Sequence, residues 1–273
     1  MRSKRSRAAQ KLVNEAFLHR IAMLDIVDRL ETINRSFENA LFWGASGFQK
    51  LLTEKAGVKR IISVDRSVEC LKLESDALYR IVADEEALPF GDEKFDLVVC
   101  LLVFHQTNDL VGSLMQVKHS LKPDGLFIGV LFGEETLSAL RKLLYQAEAD
   151  ILGGVTPRVS PFASVRDLGA VLQRVGFALP VADIDQISVN YKDPKRLFAD
   201  LRSMGETNAL RQRKHVLDRR VAKQVLDELQ RVNPTINFDL ITLTGWAPAP
   251  SQPKPLEPGA KSRSMEKAIR DQL

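Results

Sequence analysis

FDLVVCLL (residues 95–102) is an apolar run broken by a single acid, and a run of that length and continuity marks a strand buried on both faces of a parallel sheet. Reading outward, shorter β-rich runs stand at 40–43, 60–65, 80–84 and 125–132. Segments of helical length, 47–56 and 110–121, separate them. Strand and helix alternating in this way predict βαβ units and a doubly wound α/β sheet with helices on both faces. Upstream, Leu12, Phe17, Ile21, Leu24, Ile26, Val27 and Leu30 recur near 3.6-residue spacing, so residues 1–35 read as an N-terminal helical segment. Downstream, helices are expected at 135–151 and 164–175, a strand at 182–191, helices near 195–204 and 216–232, and a last strand at 238–246. The main domain is therefore 36–246, with a helical cap inserted at about 193–231. Five prolines between 248 and 258 predict a mobile tail over 247–273.

The 273 residues are 45% apolar and 27% charged, enough to bury a real core. The net charge of +4 is concentrated at the two ends. Residues 1–11 carry five cations and no acid, and 247–273 carry five cations against three acids, which leaves the body with 29 cations against 32 acids. A mildly acidic body argues against a nucleic-acid surface, which needs clustered Lys and Arg. The basic N-terminal arm reads most simply as a solvated helix end, with docking on an acidic partner or a membrane surface as the lesser reading. Cys70 and Cys100 form neither a zinc pattern nor a disulfide framework, so a reducing compartment fits. His19, His119 and His215 lack metal-ligand spacing, and no metal site is expected. No apolar run approaches the roughly 20 residues of a membrane span, and no secretory leader is expected at the start. The expected location is the cytoplasm, or the mitochondrial matrix in a eukaryote.

Ligands of open α/β sheets bind at the carboxyl ends of the strands, so the residues just after each strand are the ones to inspect. WGASGF (43–48) follows the first strand and opens a helix, with Gly44, Ser46 and Gly47 where backbone can approach a ligand. Asp65 ends the second strand with Arg66 beside it, 21 residues past Gly44, the separation at which a carboxylate accepts hydrogen bonds from a ribose diol. ADEEALPF (83–90) follows the third and places Asp84 and Glu85 nearby. In this order the three features outline an adenosine-shaped site. His105 follows the central strand and reads equally as a functional group or a satisfied core residue. Arg202, Met204, Glu206 and Asn208 fall in the cap, either as a lid or as an ordinary helix end. Arg211, Arg213 and Lys214 suggest a partner-facing rim.

The glycine turn, Asp65, ADEEALPF, FDLVVCLLVFHQTND (95–109) and LKPDGLFIG (121–129) together resemble a class I S-adenosylmethionine-dependent methyltransferase. RSRAAQ (5–10), LFGEETLSALR (131–141), SPFASVRDLGAVLQRVGF (160–177), VNY (189–191), DLRSMGETNA (200–209) and TGW (244–246) are similar to the mitochondrial complex I assembly factor 5 branch and its bacterial relatives. The resemblance covers nearly the whole chain. It implies a Rossmann-like seven-stranded sheet with an antiparallel final strand, and S-adenosylmethionine as cofactor. In that case Gly44 and Gly47 would lie against the methionine part, Asp65 would hold the ribose, Asp84 and Glu85 would meet the adenine, and His105 would sit where cofactor and substrate meet. It also implies a respiratory complex I subunit as partner, with hydroxylation of an arginine as the branch's activity. Phe42, Ser46 and Phe48 stand where the family's first motif has an acid and two further glycines. Two other functions stay open: conventional methylation of a small molecule such as a quinone or biotin precursor, and a non-catalytic assembly factor with a degraded cofactor site.

Overall fold

The computed structural model describes residues 4–74, 76–208, 210 and 216–252. The chain begins with two helices, α1 (Lys4–Glu15) and α2 (Phe17–Glu31). The sheet then alternates strand and helix: β1 (Asn39–Trp43), α3 (Lys50–Glu54), β2 (Arg60–Asp65), α4 (Val68–Leu71), β3 (Tyr79–Val82), β4 (Phe95–Leu101), α5 (Leu110–Ser120) and β5 (Leu121–Phe132). Helices α6 (Ser138–Leu152) and α7 (Val165–Val175) lead to β6 (Ala178–Asn190). The cap helices α8 (Pro194–Ser203) and α9 (Arg219–Val232) precede β7 (Thr235–Trp246). The seven strands run in the order β3-β2-β1-β4-β5-β7-β6. β7 is antiparallel to both of its neighbours, and the other described pairs are parallel. Strand order reverses between β1 and β4, which puts the ligand crevice at their carboxyl ends.

Both faces of the sheet are covered, because successive side chains of a strand point to opposite faces. In β1, Ala40 and Phe42 enter a core shared with α1, α2, α6, α8 and α9. Leu41 and Trp43 enter the opposite core with α5 and α7. In the second core Phe104 packs between Trp43 and Phe127, and Phe127 stacks on Phe177 with ring centroids 5.4 Å apart. Helices α5, α7, α8 and α9 start where their sequences supply a cap. Asp109 accepts from the Gly112 amide at the head of α5, Ser164 accepts from Asp167 at α7, Asp193 from Lys195 at α8, and Asp218 from Arg220 at α9.

Several expectations are corrected. The N-terminal helical segment is two helices, broken at Ala16, whose φ of −85° and ψ of 71° leave the helical region. Helix α6 begins three residues later than expected because Leu137 is in the left-handed conformation. The first residues of the supposed mobile tail are tied down: the Ala247 amide donates to Gly125 O (2.8 Å) and the Gln252 side chain donates to Asp124 Oδ1 (2.9 Å). Residues 253–273, and the rim cations Arg211, Arg213 and Lys214, lie outside the described residues. No described helix is long and apolar enough to cross a membrane.

Candidate active site

Two neighbouring polar regions lie at the carboxyl end of the sheet. The first is built from the β1 and β2 turns. Gly44 has φ +101°, and a Cβ there would stand 2.3 Å from Leu101 O. Only glycine permits that approach between the turn and β4. Ser46 and Gly47 donate their amides to one oxygen of Glu74, at 2.6 and 2.8 Å. Asp65 ends β2, as its place in the sequence predicts, and is fully buried. Its Oδ1 accepts from the Ser67 amide (2.7 Å), and its Oδ2 accepts from Arg5 Nε (3.1 Å) with Arg5 Nη2 at 3.0 Å.

Arg5 overturns the reading of the N-terminal arm as a solvated helix end. It is only 5% exposed, and its Nη2 also donates to Ala45 O at 3.0 Å. Burial opposes the cation, yet Asp65 more than offsets it and keeps the guanidinium charged. Beyond Asp65, the Asp84 and Glu85 pair divides. Asp84 is exposed and caps the Glu86 amide, whereas Glu85 is buried with Arg66 Nε 2.5 Å from its Oε2. Burial pushes the Glu85 carboxyl up to about 7 against the pull of Arg66. Phe42 is fully buried in the core, so an acid introduced there would be a buried charge rather than a ligand contact. The residue types at this site suit an adenosine-bearing cofactor. As it stands the arrangement is closed to one, because the carboxylate and the turn amides are paired with groups of the chain itself.

Glu74 is the site residue that sequence reasoning missed. It follows a four-residue helix and reads there as a surface acid. In the fold it is fully buried, and burial pushes its carboxyl up to about 7 despite the Gly47 and Ser46 amides. A carboxyl that titrates higher in the folded chain contributes stability in acid and loses it as pH rises through about 7. Glu74→Gln keeps an acceptor for the two amides and removes the titration. In urea unfolding its stability relative to wild type should improve by about 2–4 kcal/mol between about pH 4 and about pH 8. A difference that stays flat with pH would disprove the buried titration.

The second region is a cavity of ≈ 360 Å³ under the cap, whose lining includes His105, Phe132, Phe162, Phe198 and Glu206. His105 lies in a single 3₁₀ turn, Phe104–Gln106, just after β4. Its Nε2 is 2.9 Å from Glu206 Oε2, and the Gln106 side chain donates to the same oxygen at 3.0 Å. The His105 ring meets Phe132 and Phe162 edge-on, with centroids at 4.8 and 5.9 Å. Burial raises the Glu206 carboxyl, but His105 and Arg5 outweigh it and hold it below the usual carboxylate range. Glu206 Oε1 and His105 Nδ1 are buried with no partner among the described residues. Buried polar atoms are nearly always satisfied, and both residues line the cavity, so this unpaired couple beside it is a candidate to meet a ligand group. Between the two regions stands His19 of α2, fully buried and held neutral by burial and by Arg5, its ring pushed down to about 3. Of the cap residues singled out in the sequence, Arg202, Glu206 and Asn208 line the cavity, and Met204 is core.

The methyltransferase domain family matches residues 43–129. Among curated proteins, the mouse arginine-hydroxylase NDUFAF5, mitochondrial, is 40% identical over 249 residues, covering 88% of this chain and 73% of the mouse protein. Among solved structures, Bacillus YcgJ superposes with a TM-score of 0.57 at 17% identity over 84% of this chain and 99% of its own. A Haemonchus contortus phosphoethanolamine N-methyltransferase in complex with S-adenosyl-L-methionine superposes at 0.52 and 16% identity over 89% of this chain and 56% of its own. These last two likenesses are likenesses of fold. On the extent of the sequence match, the chain belongs to the arginine-hydroxylase NDUFAF5 family, within the class I S-adenosylmethionine-dependent methyltransferase superfamily.

Proposed function

We propose that this protein receives an arginine side chain from a respiratory complex I subunit and supports its hydroxylation, the activity for which its relatives are named. The observation that carries the reading is Glu206. It is a buried, ionised carboxylate with one oxygen fixed by His105 and Gln106 and the other without a partner among the described residues, beside a cavity walled by phenylalanines. A guanidinium is planar, permanently charged and weakly hydrated, and it both stacks on aromatic faces and pairs with carboxylates. The cavity cation nearest in kind, Arg158, is already neutralised by Glu148 at 2.7 Å, and Arg202 is exposed. Glu206 therefore binds the incoming cation, and His105 with Gln106 positions Glu206.

Hydroxylation replaces one hydrogen of the arginine with a hydroxyl group. With dioxygen as oxidant it consumes two electrons and two protons from an external donor and releases water. Methyl transfer is the chemistry S-adenosylmethionine supplies when bound. With Asp65 paired to Arg5, the recognition of arginine rests on the Glu206 cavity and not on that group.

The test is mass spectrometry of complex I peptides from cells with and without this protein. A one-oxygen increment on an arginine should vanish with the protein and return with the wild-type chain. Persistence of the increment would overturn the proposal, and so would transfer of a labelled methyl group from S-adenosylmethionine to a small metabolite with no change in complex I.

A further inference from the structure

The carboxylate at the end of β2 and the amides of the β1 turn are the groups an adenosine ligand would use, and each is held by another part of this chain. Asp65 Oδ2 takes the Arg5 guanidinium from the first helix, 60 residues away in sequence. The Ser46 and Gly47 amides take Glu74. Helix α1 is laid directly over the turn: a Cβ at Gly47 would stand 2.6 Å from Val13 Cγ2, Ser6 Oγ donates to Ser67 Oγ at 2.8 Å, and Cys70 Sγ contacts Arg5 O at 3.5 Å. Yet the contact is not fully satisfied. Arg5 Nη1, Ser46 Oγ and Glu74 Oε2 are buried with no partner among the described residues, a cost that a closed core would be expected to avoid.

We propose that α1 is a latch, and that Arg5 is an internal competitor which a ribose-bearing ligand must displace from Asp65. The two hydroxyls of a ribose and the two donors of the guanidinium compete for one carboxylate. The other side of α1 touches the cap, where Lys4 Nζ donates to Thr207 O at 2.9 Å and Gly205 lies against Arg5 and Ala8. Helix α1 therefore contacts both regions. The inference stands apart from the arginine reading, which rests on the cavity alone.

The experiment is calorimetric titration of the full chain with S-adenosylhomocysteine, and separately with adenosine, for wild type and Arg5→Gln. Glutamine keeps a neutral donor near Asp65 and removes the charged fork. Arg5→Gln should bind both ligands at least about tenfold more tightly than wild type, since the variant takes from Asp65 the ion pair and one of two charge-assisted donors, a loss of about that factor. Amide exchange of wild type saturated with S-adenosylhomocysteine should speed up over residues 4–15. A folded Arg5→Gln protein that binds no better than wild type overturns the latch. A gain for S-adenosylhomocysteine without one for adenosine overturns its placement at Asp65. Wild type that binds ligand with exchange over 4–15 unchanged or slowed overturns the displacement. If Arg5→Gln fails to fold, exchange in the wild type decides. An unfolded variant together with a wild type that binds neither ligand makes the pair purely structural and ends the proposal.

Discussion

Glu206→Gln should fold and lose its preference for a charged guanidinium. The substitution preserves shape and keeps an oxygen for His105 and Gln106, but removes the negative charge from a cavity whose other walls are largely apolar. A hydrogen bond to a charged group is worth about 1.5–3 kcal/mol, or roughly ten- to more than a hundredfold in affinity. The measurement is fluorescence anisotropy with a complex I peptide carrying arginine, and with the same peptide carrying citrulline, its neutral isostere. Wild type should discriminate between them by that factor, and the variant should bind both with the weaker affinity. A variant that still prefers arginine would remove Glu206 from the site and leave the cavity without a reason to select a cation.

The largest loss of stability is expected at Gly44→Ala. The added methyl would meet Leu101 O at 2.3 Å and Val103 Cγ1 at 3.0 Å, in a backbone with φ +101° that side chains rarely adopt. Strain of this kind costs about 1–3 kcal/mol and overpacking a similar amount again. Together they amount to about 2–6 kcal/mol, a large share of the roughly 5–15 kcal/mol by which domains are typically stable. Gly57 supplies the control, since it also has positive φ (+66°) but nothing within 4 Å of where a Cβ would stand. Gly57→Ala should therefore cost only the strain. Equal urea midpoints for the two variants would show that the close approach to β4 contributes nothing.

Much of the architecture was legible in the order of residues because its causes are short-range. The run at 95–102 became β4, buried on both faces, because a strand without polar alternation has nowhere to go but the middle of a covered sheet. The apolar stripes of α7, α8 and α9 and their Ser164, Asp193 and Asp218 caps are likewise written within a dozen residues each. The strand-end positions of Asp65 and His105 followed from the same rule. Arg5 carried a faint signal, since Arg5, Ala8, Ala9 and Leu12 fall on one helical face and all four are buried. Among five cations in eleven residues it still read as solvent-facing.

Which charges meet is a different matter. His105 and Glu206 are 101 residues apart, and Arg5 and Asp65 are 60 apart. Glu74 reaches the β1 turn only because the β2–β3 connection folds back over it. Local pattern places each of these groups at a strand end, a helix face or a loop, since backbone propensity and side-chain periodicity act over a few residues. Their partners, and hence whether a carboxylate stands open to a ligand or is taken by the chain's own guanidinium, depend on where distant loops come to rest. In a low-dielectric interior a buried charge needs whatever counter-group the packing brings within reach. The sequence alone determined the sheet and the places where chemistry could sit; only the tertiary structure decided that Asp65 is paired with Arg5 and that Glu206 comes to line the cavity with one oxygen unpaired among the described residues.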